Sequence, residues 1–303
     1  MRRGFAQINL AVLLWGFTAI LGKAISLSAP VLVWYRMILS AAILFLIITF
    51  RKGWPKIDKK ELRRLLLIGI LFAIHWIAFY ASVKLANASI AVICLASASV
   101  FTAVLDPLFN GRKFNKAELY LSFLAVIGVA CIYVFHAEDA DGAQPMVNFK
   151  LGLLSGLLAS VIASLFSVLN KPLAEKYPAR PLVFWEMAGG LAFLSLLAPF
   201  YILNQPEIQL LPVGLDYLWI ILLAYCCTVW AQSLAMASLK TLSAFTVTLS
   251  VNMEPVYGII LAFLVFKENN QLGYGFYIGM AFIFTSIALQ LALTLRHSRR
   301  QPV

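Results

Sequence analysis

Long apolar runs, separated by short polar segments, dominate the chain. Runs such as AAILFLIITF (41–50) and LLLIGILFAI (65–74) contain no charged residue and no alternation of polar and apolar positions. A helix needs about 20 apolar residues to cross the hydrocarbon of a bilayer, whereas an outer-membrane barrel has alternating segments of about ten residues. The pattern predicts ten transmembrane helices, at approximately 6–25, 31–50, 65–84, 88–110, 117–136, 149–170, 181–203, 215–237, 242–266 and 273–295.

The composition leaves no room for a second kind of domain. Of the 303 residues, 62% are hydrophobic and 12% are charged, and the mean hydropathy is +0.89. A soluble domain is about half apolar and about a quarter charged. Ten spans occupy roughly 200 positions, so the remaining residues form loops and tails. We expect an all-α integral membrane protein without a soluble catalytic domain.

The distribution of the net charge of +11 predicts the orientation in the membrane. If the N-terminus is cytoplasmic, 19 of the 24 lysines and arginines lie on the inner side. Positive charge concentrates on the cytoplasmic side of membrane proteins, so both termini are predicted to be cytoplasmic, and no nucleic-acid partner is expected. The first span is expected to stay in the mature protein, because no cleavage site of small residues follows it.

The chain contains an internal repeat. Three stretches match in the same order, at offsets of 148 to 154: Gly16–Lys23 with Ser164–Lys171, Leu32–Met37 with Leu182–Met187, and Trp76 and Ala81 with Trp230 and Ala235. Each copy holds five spans, and because five is odd, the second copy enters the membrane from the opposite side. We therefore expect two inverted five-helix repeats, residues 1–140 and 145–303. This architecture is typical of secondary transporters, whose substrate site lies near the midplane between the halves.

Four short motifs, in this order along the chain, resemble the EamA-type branch of the drug/metabolite transporter superfamily. They are WGFTAILGK (15–23), LVWYRM (32–37), MEP (253–255) and KE (267–268). The resemblance extends from about residue 8 to 295 and implies a bacterial inner-membrane carrier built from two EamA-type repeats, which moves small metabolites, often outward, by alternating access. It also implies a central cavity enclosed mainly by spans one, three, four, six, eight and nine. The first repeat departs from the pattern, since Val100 and Phe101 align with the Glu-Pro pair.

Five ionisable side chains fall inside the predicted spans, where a charged group costs several kcal/mol: Arg36, His75, Asp106, Glu186 and Glu254. Arg36 and Glu186 occupy equivalent repeat positions with opposite charge. Arg36 is predicted either to attract an anionic group or to lock the outer gate; the alternative is a snorkelling side chain at the interface. Glu186 is expected to order the inner gate.

Glu254 directly precedes Pro255 midway along the ninth span. A proline bends a helix and leaves a backbone carbonyl without its donor, and an apolar surrounding favours the neutral form of a carboxyl group. Glu254 and Pro255 are therefore candidates, with Glu186, for proton coupling or gating. The alternative is a neutral Glu254 that hydrogen-bonds Asn252 or Gln232, with the proline as a packing kink.

Aromatic side chains are the candidates for a substrate wall, because small-molecule sites are mostly apolar with a few polar groups. A histidine among aromatic residues is also a common packing arrangement, and tryptophans at span ends alternatively form an interfacial belt. The predicted substrate-cavity residues are Trp15, Tyr35, Arg36, His75, Trp76, Phe79, Tyr80, Trp185, Trp230, Gln232 and Asn252. Small polar residues either donate hydrogen bonds there or allow close helix packing; these are Ser97, Ser99, Thr102 and Thr248.

The sequence has no phosphate-binding loop, no HExxH and no GxSxG, and its cysteines and histidines are not spaced as metal ligands. No cofactor is expected. We predict a secondary transporter, not an enzyme, that exports small organic metabolites such as amino acids. Its partners would be the solute, the bilayer and, as a candidate coupling ion, the proton; it would act as a monomer or a homodimer. Two alternatives stay open: a passive channel, and a membrane-embedded enzyme that uses His75, Glu254 and Asp106 on a lipid or small molecule.

Overall fold

The computed structural model describes residues 2–111, 114, 116–136, 147–238, 250–251 and 253–300. Within this part of the chain the secondary structure is helical and contains no strand. The helices are α1 (Arg2–Ala24), α2 (Ala29–Phe50), α3 (Lys59–Leu85), α4 (Ala88–Ala96), α5 (Ala98–Asn110), α6 (Lys116–His136), α7 (Phe149–Lys176), α8 (Ala179–Asn204), α9 (Asp216–Ala224), α10 (Ala231–Ser238), α11 (Glu254–Phe266) and α12 (Tyr274–Arg300). A π-helical turn, Tyr225–Trp230, joins α9 to α10, and a 3-10 turn, Glu268–Gln271, precedes α12.

Seven helical segments among the described residues are long and apolar enough to cross a membrane. They are Arg3–Ala24, Ala29–Phe50, Lys59–Leu85, Ala88–Phe109, Phe149–Lys176, Ala179–Asn204 and Asp216–Ser238. Three shorter apolar helices lie in the predicted fifth, ninth and tenth spans: Val126–Phe135, Glu254–Phe266 and Tyr274–Ser286. The prediction of an all-helical membrane protein is confirmed, while the count of ten spans stays a prediction.

The outward surface of the bundle is apolar. Leu196, Phe200 and Leu203, on α8, are 79%, 72% and 81% exposed, and Phe50 at the end of α2 is 83% exposed. A soluble monomer rarely exposes large contiguous apolar surfaces, whereas the hydrocarbon of a bilayer covers them without cost. The surface and the apolar helices together identify a multi-pass membrane protein.

Within the described residues, the fourth and the eighth predicted spans are interrupted. The fourth breaks at Ser97, whose hydroxyl donates to the carbonyl O of Cys94 at 2.6 Å and lies 3.0 Å from the Ser160 hydroxyl. A serine that bonds back to its own helix in this way bends it. The eighth contains the π-helical turn, in which the Thr228 hydroxyl donates to the carbonyl O of Leu223 at 3.1 Å. Single π-helical turns within α-helices are frequent at functional sites.

Hydrogen bonds between helix ends define two ends of the bundle, which we call the Lys84 end and the Glu61 end. The Lys84 ammonium donates to the carbonyl O of Ile25 at 2.8 Å, so α1 and α3 end together. The backbone N–H of Asn148, which precedes α7, donates to the carbonyl O of Leu85 at 2.8 Å, so α7 begins at this same end. It runs from there to the Glu61 end, where α3 starts. The predicted counterparts α1 and α7 therefore have opposite directions.

Helix contacts between the two halves occur in matching pairs. α1 packs on α10 and α11, and its counterpart α7 packs on α3 and α4. In the same way α2 packs on α9, and its counterpart α8 packs on α3. The counterparts α6 and α12 also pack on each other; an ideal Cβ on Gly128 would lie 2.6 Å from the carbonyl O of Gly279. Contacts that map onto each other are what a duplicated unit produces.

Candidate functional site

Arg36 lies in the interior of the bundle. The residue is 2% exposed, and its Cζ lies 3.6 Å from the ring centroid of Trp76 on α3. Stacking of a guanidinium on a tryptophan ring contributes about 0.5–2 kcal/mol, with the larger value for desolvated groups. The snorkelling alternative is therefore wrong, because the side chain points inward to an aromatic ring and not to the interface.

Two hydrogen bonds hold the Arg36 guanidinium, one from each half of the chain. Nε donates to Thr228 Oγ1 at 2.8 Å, and Nη1 donates to the Tyr80 hydroxyl at 2.7 Å. Thr228 lies in the π-helical turn of the second half, whereas Tyr80 lies on α3 of the first. The Tyr80 ring fits against α1 because Gly22 has no side chain; a Cβ there would overlap the ring. We call Arg36, Trp76, Tyr80 and Thr228 the Arg36 cluster.

The charge of Arg36 has no direct partner among the described residues. None of their carboxylates lies within 4.0 Å of the guanidinium. Glu254 interacts electrostatically with Arg36, and also with Tyr80 and Cys227. Glu254 therefore lies near the cluster without an ion pair to Arg36, although a buried charge is costly unless it is paired.

Glu254 begins a helix and does not lie in the middle of one. α11 starts at Glu254, and Pro255 occupies its first turn. The first N–H groups of a helix have no partner within it, so a proline at this position removes no hydrogen bond. Pro255 therefore does not lie in the middle of a helix, and its role in bending the ninth span stays a prediction. Asn252, the predicted partner of Glu254, lies outside the described residues, as does Thr248.

His75 is a buried packing residue. Its Nδ1 lies 2.8 Å from the carbonyl O of Ala159, and its ring centroid lies 5.3 Å from that of Phe166 and 6.3 Å from that of Phe79. Phe79 in turn packs against Tyr80, with ring centroids 5.4 Å apart. These contacts favour the packing alternative for His75 and place Phe79 behind the Arg36 cluster.

Trp185 and Tyr35 belong to other aromatic groups. Trp185 packs with Phe184 and Trp54 near the start of α8, with ring centroids 5.1 Å and 6.3 Å apart. Tyr35 packs edge-on against Trp34 at 5.3 Å. Both positions fit the alternative interpretation, in which aromatic residues near the span ends form an interfacial belt.

Within the described ranges, the other predicted wall residues make no hydrogen bond or ring contact with Arg36. Trp15 is half-buried and packs on a small core of α1 and α10 that includes Val12 and Ala231. Trp230 is 43% exposed, so its ring reaches the bundle surface. Gln232 is half-buried. Of the predicted cavity residues, the structure thus brings Trp76 and Tyr80 to Arg36.

Glu186, on α8, is a buried carboxyl group. The residue is 0% exposed, and among the described residues neither carboxyl oxygen has a hydrogen-bond partner; the same holds for Oδ1 of Asn170, with which Glu186 interacts. The backbone at Glu186 forms the close crossing of α8 with α3, where a Cβ on Gly69 would overlap the Glu186 carbonyl O. Asp106, another predicted charged residue of the spans, has a side chain outside the described part.

A buried ionic network joins the halves at the Lys84 end. Glu268 is 0% exposed, and its Oε1 lies 2.6 Å from the Lys23 ammonium. Its carboxylate also accepts from the backbone N–H of Ala88 at 3.1 Å, from that of Ser89 at 2.8 Å and from the Ser89 hydroxyl at 2.6 Å. An anion at a helix N-terminus satisfies free N–H groups and the helix dipole. Glu268 of the second half therefore caps α4 of the first.

Further polar contacts between the halves lie at both ends. At the Lys84 end, the Ser26 backbone N–H donates to Asp216 Oδ1 at 3.0 Å. At the Glu61 end, the Glu61 carboxylate lies 2.7 Å from the Lys176 ammonium and accepts from the Tyr177 hydroxyl. The Lys176 and Glu61 side chains are 59% and 22% exposed. Exposed ion pairs contribute about 0–1 kcal/mol, so less is expected from this pair than from the buried pair of Lys23 and Glu268.

Sequence reasoning missed Thr228 and the role of Glu268. The Thr228 hydroxyl reaches Arg36 from a π-helical turn, which hydropathy does not reveal. A signal existed for Glu268, because it belongs to the Lys-Glu motif after the ninth span and Lys23 ends the first motif. No group of three or more His, Cys, Asp and Glu side chains within the described ranges is placed to hold a metal ion.

Comparisons with known proteins agree with this architecture. An uncharacterised transporter of Haemophilus influenzae is 21% identical over 266 residues, which are 86% of this chain and 83% of that protein. The uncharacterised transporter YetK of Bacillus subtilis is 23% identical over 290 residues, 93% of this chain and 85% of that protein. A crystal structure with 18% identity superimposes with a TM-score of 0.63 over 97% of this chain and 96% of its own, which supports the fold.

The model of the EamA-like transporter family matches the chain twice, over residues 2–134 and 150–292. The two matches coincide with the two halves whose helices pack in matching pairs. Because the matches include most of the sequence, the chain belongs to the EamA-like transporter family.

Proposed function

We propose that the protein is a secondary transporter that exports small organic metabolites, amino acids among them, by alternating access. In this proposal residues 1–140 and 145–303 are inverted repeats of five spans each, both termini are cytoplasmic, and the solute crosses a bacterial inner membrane where the halves meet. The observation that carries it is the Arg36 cluster, in which a buried cation of the first half is held by Thr228 of the second. Charged groups inside a membrane protein usually face a transport path or a partner.

The opposite directions of α1 and α7 support the inverted relation of the halves. The matching contacts of these helices, with α10 and α11 in one case and with α3 and α4 in the other, support it further. Inverted repeats of this kind form their site at the repeat interface, and rocking of one unit against the other exposes it to each side in turn.

The two ends of the bundle would act as alternating gates. The Lys84 end, on the predicted outer side, is closed by the buried Lys23 and Glu268 pair and by Ser26 with Asp216. The Glu61 end is closed by the more exposed pair with Lys176. Export requires each set of contacts to break while the other holds.

Glu254 is the candidate proton carrier in this proposal. The groups that interact with it are Arg36 on α2, Tyr80 on α3 and Cys227 in the π-helical turn. A carboxyl group that faces a buried cation changes the net charge of the interior when it binds or releases a proton. Glu186 on α8, which interacts with Asn170, is the candidate gating residue.

Transport by the purified full-length chain in liposomes tests the proposal. Liposomes loaded with a mixture of amino acids should exchange them with labelled external amino acids, with saturation and with no change in solute mass. A passive channel would give flux that does not saturate, and an enzyme would change the mass of the solute. His75 is bonded to the carbonyl O of Ala159, which does not favour its use as an acid or base.

The Glu254→Gln variant tests the coupling ion separately. It should lose accumulation driven by a pH gradient and retain exchange of solute for solute, because exchange needs no net proton movement. Unchanged pH-driven accumulation in this variant would exclude Glu254 as the proton carrier.

A further inference from the structure

We propose that the Arg36 cluster binds the carboxylate of the transported solute. The inference rests on the proposed transport function and names its substrate class: small organic carboxylates, including zwitterions, with an apolar remainder. It assigns the binding edge to Nη1 and Nη2 of Arg36, the covering ring to Trp76 and the supporting hydroxyls to Tyr80 and Thr228.

Among the described residues, one edge of the guanidinium has no hydrogen-bond acceptor. A guanidinium has five N–H donors; Nε and Nη1 of Arg36 each give one to the Thr228 and Tyr80 hydroxyls. No described residue accepts a hydrogen bond from Nη2. Nη1 and Nη2 together form the fork that binds a carboxylate through two parallel hydrogen bonds. The two hydroxyls and the Trp76 ring fix the plane of this fork before a ligand arrives.

The charge of the cluster points to the same ligand. The guanidinium is 2% exposed and has no carboxylate of the described residues within 4.0 Å. A buried charge needs a counter-charge, and Glu254 interacts with Arg36 only from beyond this distance. A solute carboxylate on the unused edge would provide the missing partner. A lysine would not serve equally, because its ammonium lacks the planar fork.

The surroundings select the rest of the solute. Trp76 and Tyr80 are 7% and 0% exposed and place aromatic rings beside the guanidinium on the α3 side. Cys227, which interacts with Arg36 from the π-helical turn, adds a small apolar group. Such a site suits a carboxylate attached to an apolar or aromatic group.

A purely structural Arg36, which ties the two halves together, is the competing interpretation. Its two partners are neutral hydroxyls, so a tie of this kind depends on hydrogen bonds and not on an anion. The two interpretations therefore differ in whether the cluster distinguishes a carboxylate from a neutral group of the same shape.

Four probes that differ in one group at a time test the assignment with the full-length protein in nanodiscs. They are L-phenylalanine, 3-phenylpropionate and the carboxamide of each. Titration calorimetry should give at least tenfold tighter binding of each carboxylate than of its amide, which corresponds to about 1.4 kcal/mol. The Arg36→Gln variant should bind carboxylate and amide alike. The control is Ser40→Ala, which removes another contact of α2 with the second half, 3.4 Å from Ser40 Oγ to the carbonyl O of Ala224; it should keep the preference.

Equal binding of carboxylates and amides by the unmodified protein overturns the assignment, as does the absence of carboxylate binding or a preference that survives in Arg36→Gln. If Arg36→Gln does not fold, the comparison of carboxylates with amides in the unmodified protein still decides whether the assignment holds. Arg36→Lys, which keeps the charge without the fork, should weaken carboxylate binding at least tenfold.

Uptake of the same four probes into liposomes separates the two proposals. Arg36-dependent binding without uptake refutes transport and leaves the site standing; uptake without a carboxylate preference refutes the site and leaves transport standing.

Discussion

Replacement of Glu268 by glutamine should open the Lys84 end of the bundle. The Glu268 carboxylate accepts hydrogen bonds from Lys23, from two backbone N–H groups at the start of α4 and from the Ser89 hydroxyl. Glutamine has nearly the same shape but a single acceptor oxygen, and its amide group would point N–H donors at other donors. The substitution therefore removes the negative charge and disrupts part of the hydrogen bonding that caps α4.

The free-energy cost of Glu268→Gln follows from the contacts that the substitution removes. Breaking a buried ion pair costs about 3–5 kcal/mol, and an anion at a helix N-terminus contributes about 0.3–2 kcal/mol. The Lys23 side chain is 27% exposed, so water compensates part of its loss. We expect a net change of about 2–3 kcal/mol in favour of states open at this end. Since about 1.4 kcal/mol corresponds to a factor of ten, the population of those states should rise about 30-fold to 150-fold.

Labelling of Cys227 measures this population. Cys227 is 2% exposed and interacts with Arg36, so a membrane-impermeant maleimide should reach it only through an open end. The background carries alanine at the other cysteines, Cys94, Cys131 and Cys226. The labelling rate from the Lys84 side of oriented liposomes should rise by the factor given above in Glu268→Gln.

Lys176→Gln is the matched control at the Glu61 end. Its ion pair is largely exposed, so its loss changes the balance by at most about 1 kcal/mol, and labelling from the Lys84 side should not increase. An unchanged labelling rate in Glu268→Gln, together with a lower unfolding temperature, would refute the gate and leave Glu268 as a structural cap.

Further predictions concern the close crossing of α3 and α8, the Arg36 cluster and the topology. In thermal unfolding of the full-length protein, Gly69→Ala should lower the unfolding free energy by about 1–3 kcal/mol, because its Cβ would overlap the α8 backbone. Gly53→Ala, whose Cβ would lie 3.8 Å from the nearest atom, should change it by less than about 0.5 kcal/mol; equal shifts would contradict the crossing. Thr228→Val keeps the volume but removes the acceptor of Arg36 Nε, and should cost about 1.5–3 kcal/mol in the same thermal measurement; no shift would mean that this bond is not formed. Reporter tags within 137–150 should lie on the side opposite to both termini, and tags on the same side would refute inverted repeats.

The helical class and the duplication could be predicted because apolar length and repeated order are properties of sequence alone. The break at Ser97 and the π-helical turn could not. Both depend on side-chain hydroxyls that bond to carbonyls within the helix, at Cys94 and Leu223. Hydropathy treats these serine and threonine residues as weakly polar positions of a continuous span.

The candidate site was only partly predictable. Arg36 could be identified because a charged residue inside an apolar run is costly, but a single sequence does not state which face of α2 points inward. Its ring partner Trp76 lies 40 positions away along the chain, and the Thr228 hydroxyl comes from the other repeat. Trp185 shares the residue type and repeat position of the predicted wall and packs instead with Trp54. The repeat predicted which positions correspond in the two halves. The site is defined by side chains that differ between corresponding positions.

Charge balance in the interior distinguishes Glu254 from Glu186. At a pH at which Glu254 is ionised, Arg36 and Glu254 sum to no net charge, so a solute carboxylate at Arg36 leaves one negative charge in excess, which a proton on Glu254 removes. Glu186 interacts with Asn170 and would not share this balance. Calorimetry of 3-phenylpropionate binding, in buffers of different ionisation enthalpy, should therefore detect proton uptake in the unmodified protein and in Glu186→Gln. It should detect no uptake in Glu254→Gln. Loss of proton uptake in Glu186→Gln but not in Glu254→Gln would reverse the assignment and make Glu186 the carboxyl group that responds to the solute.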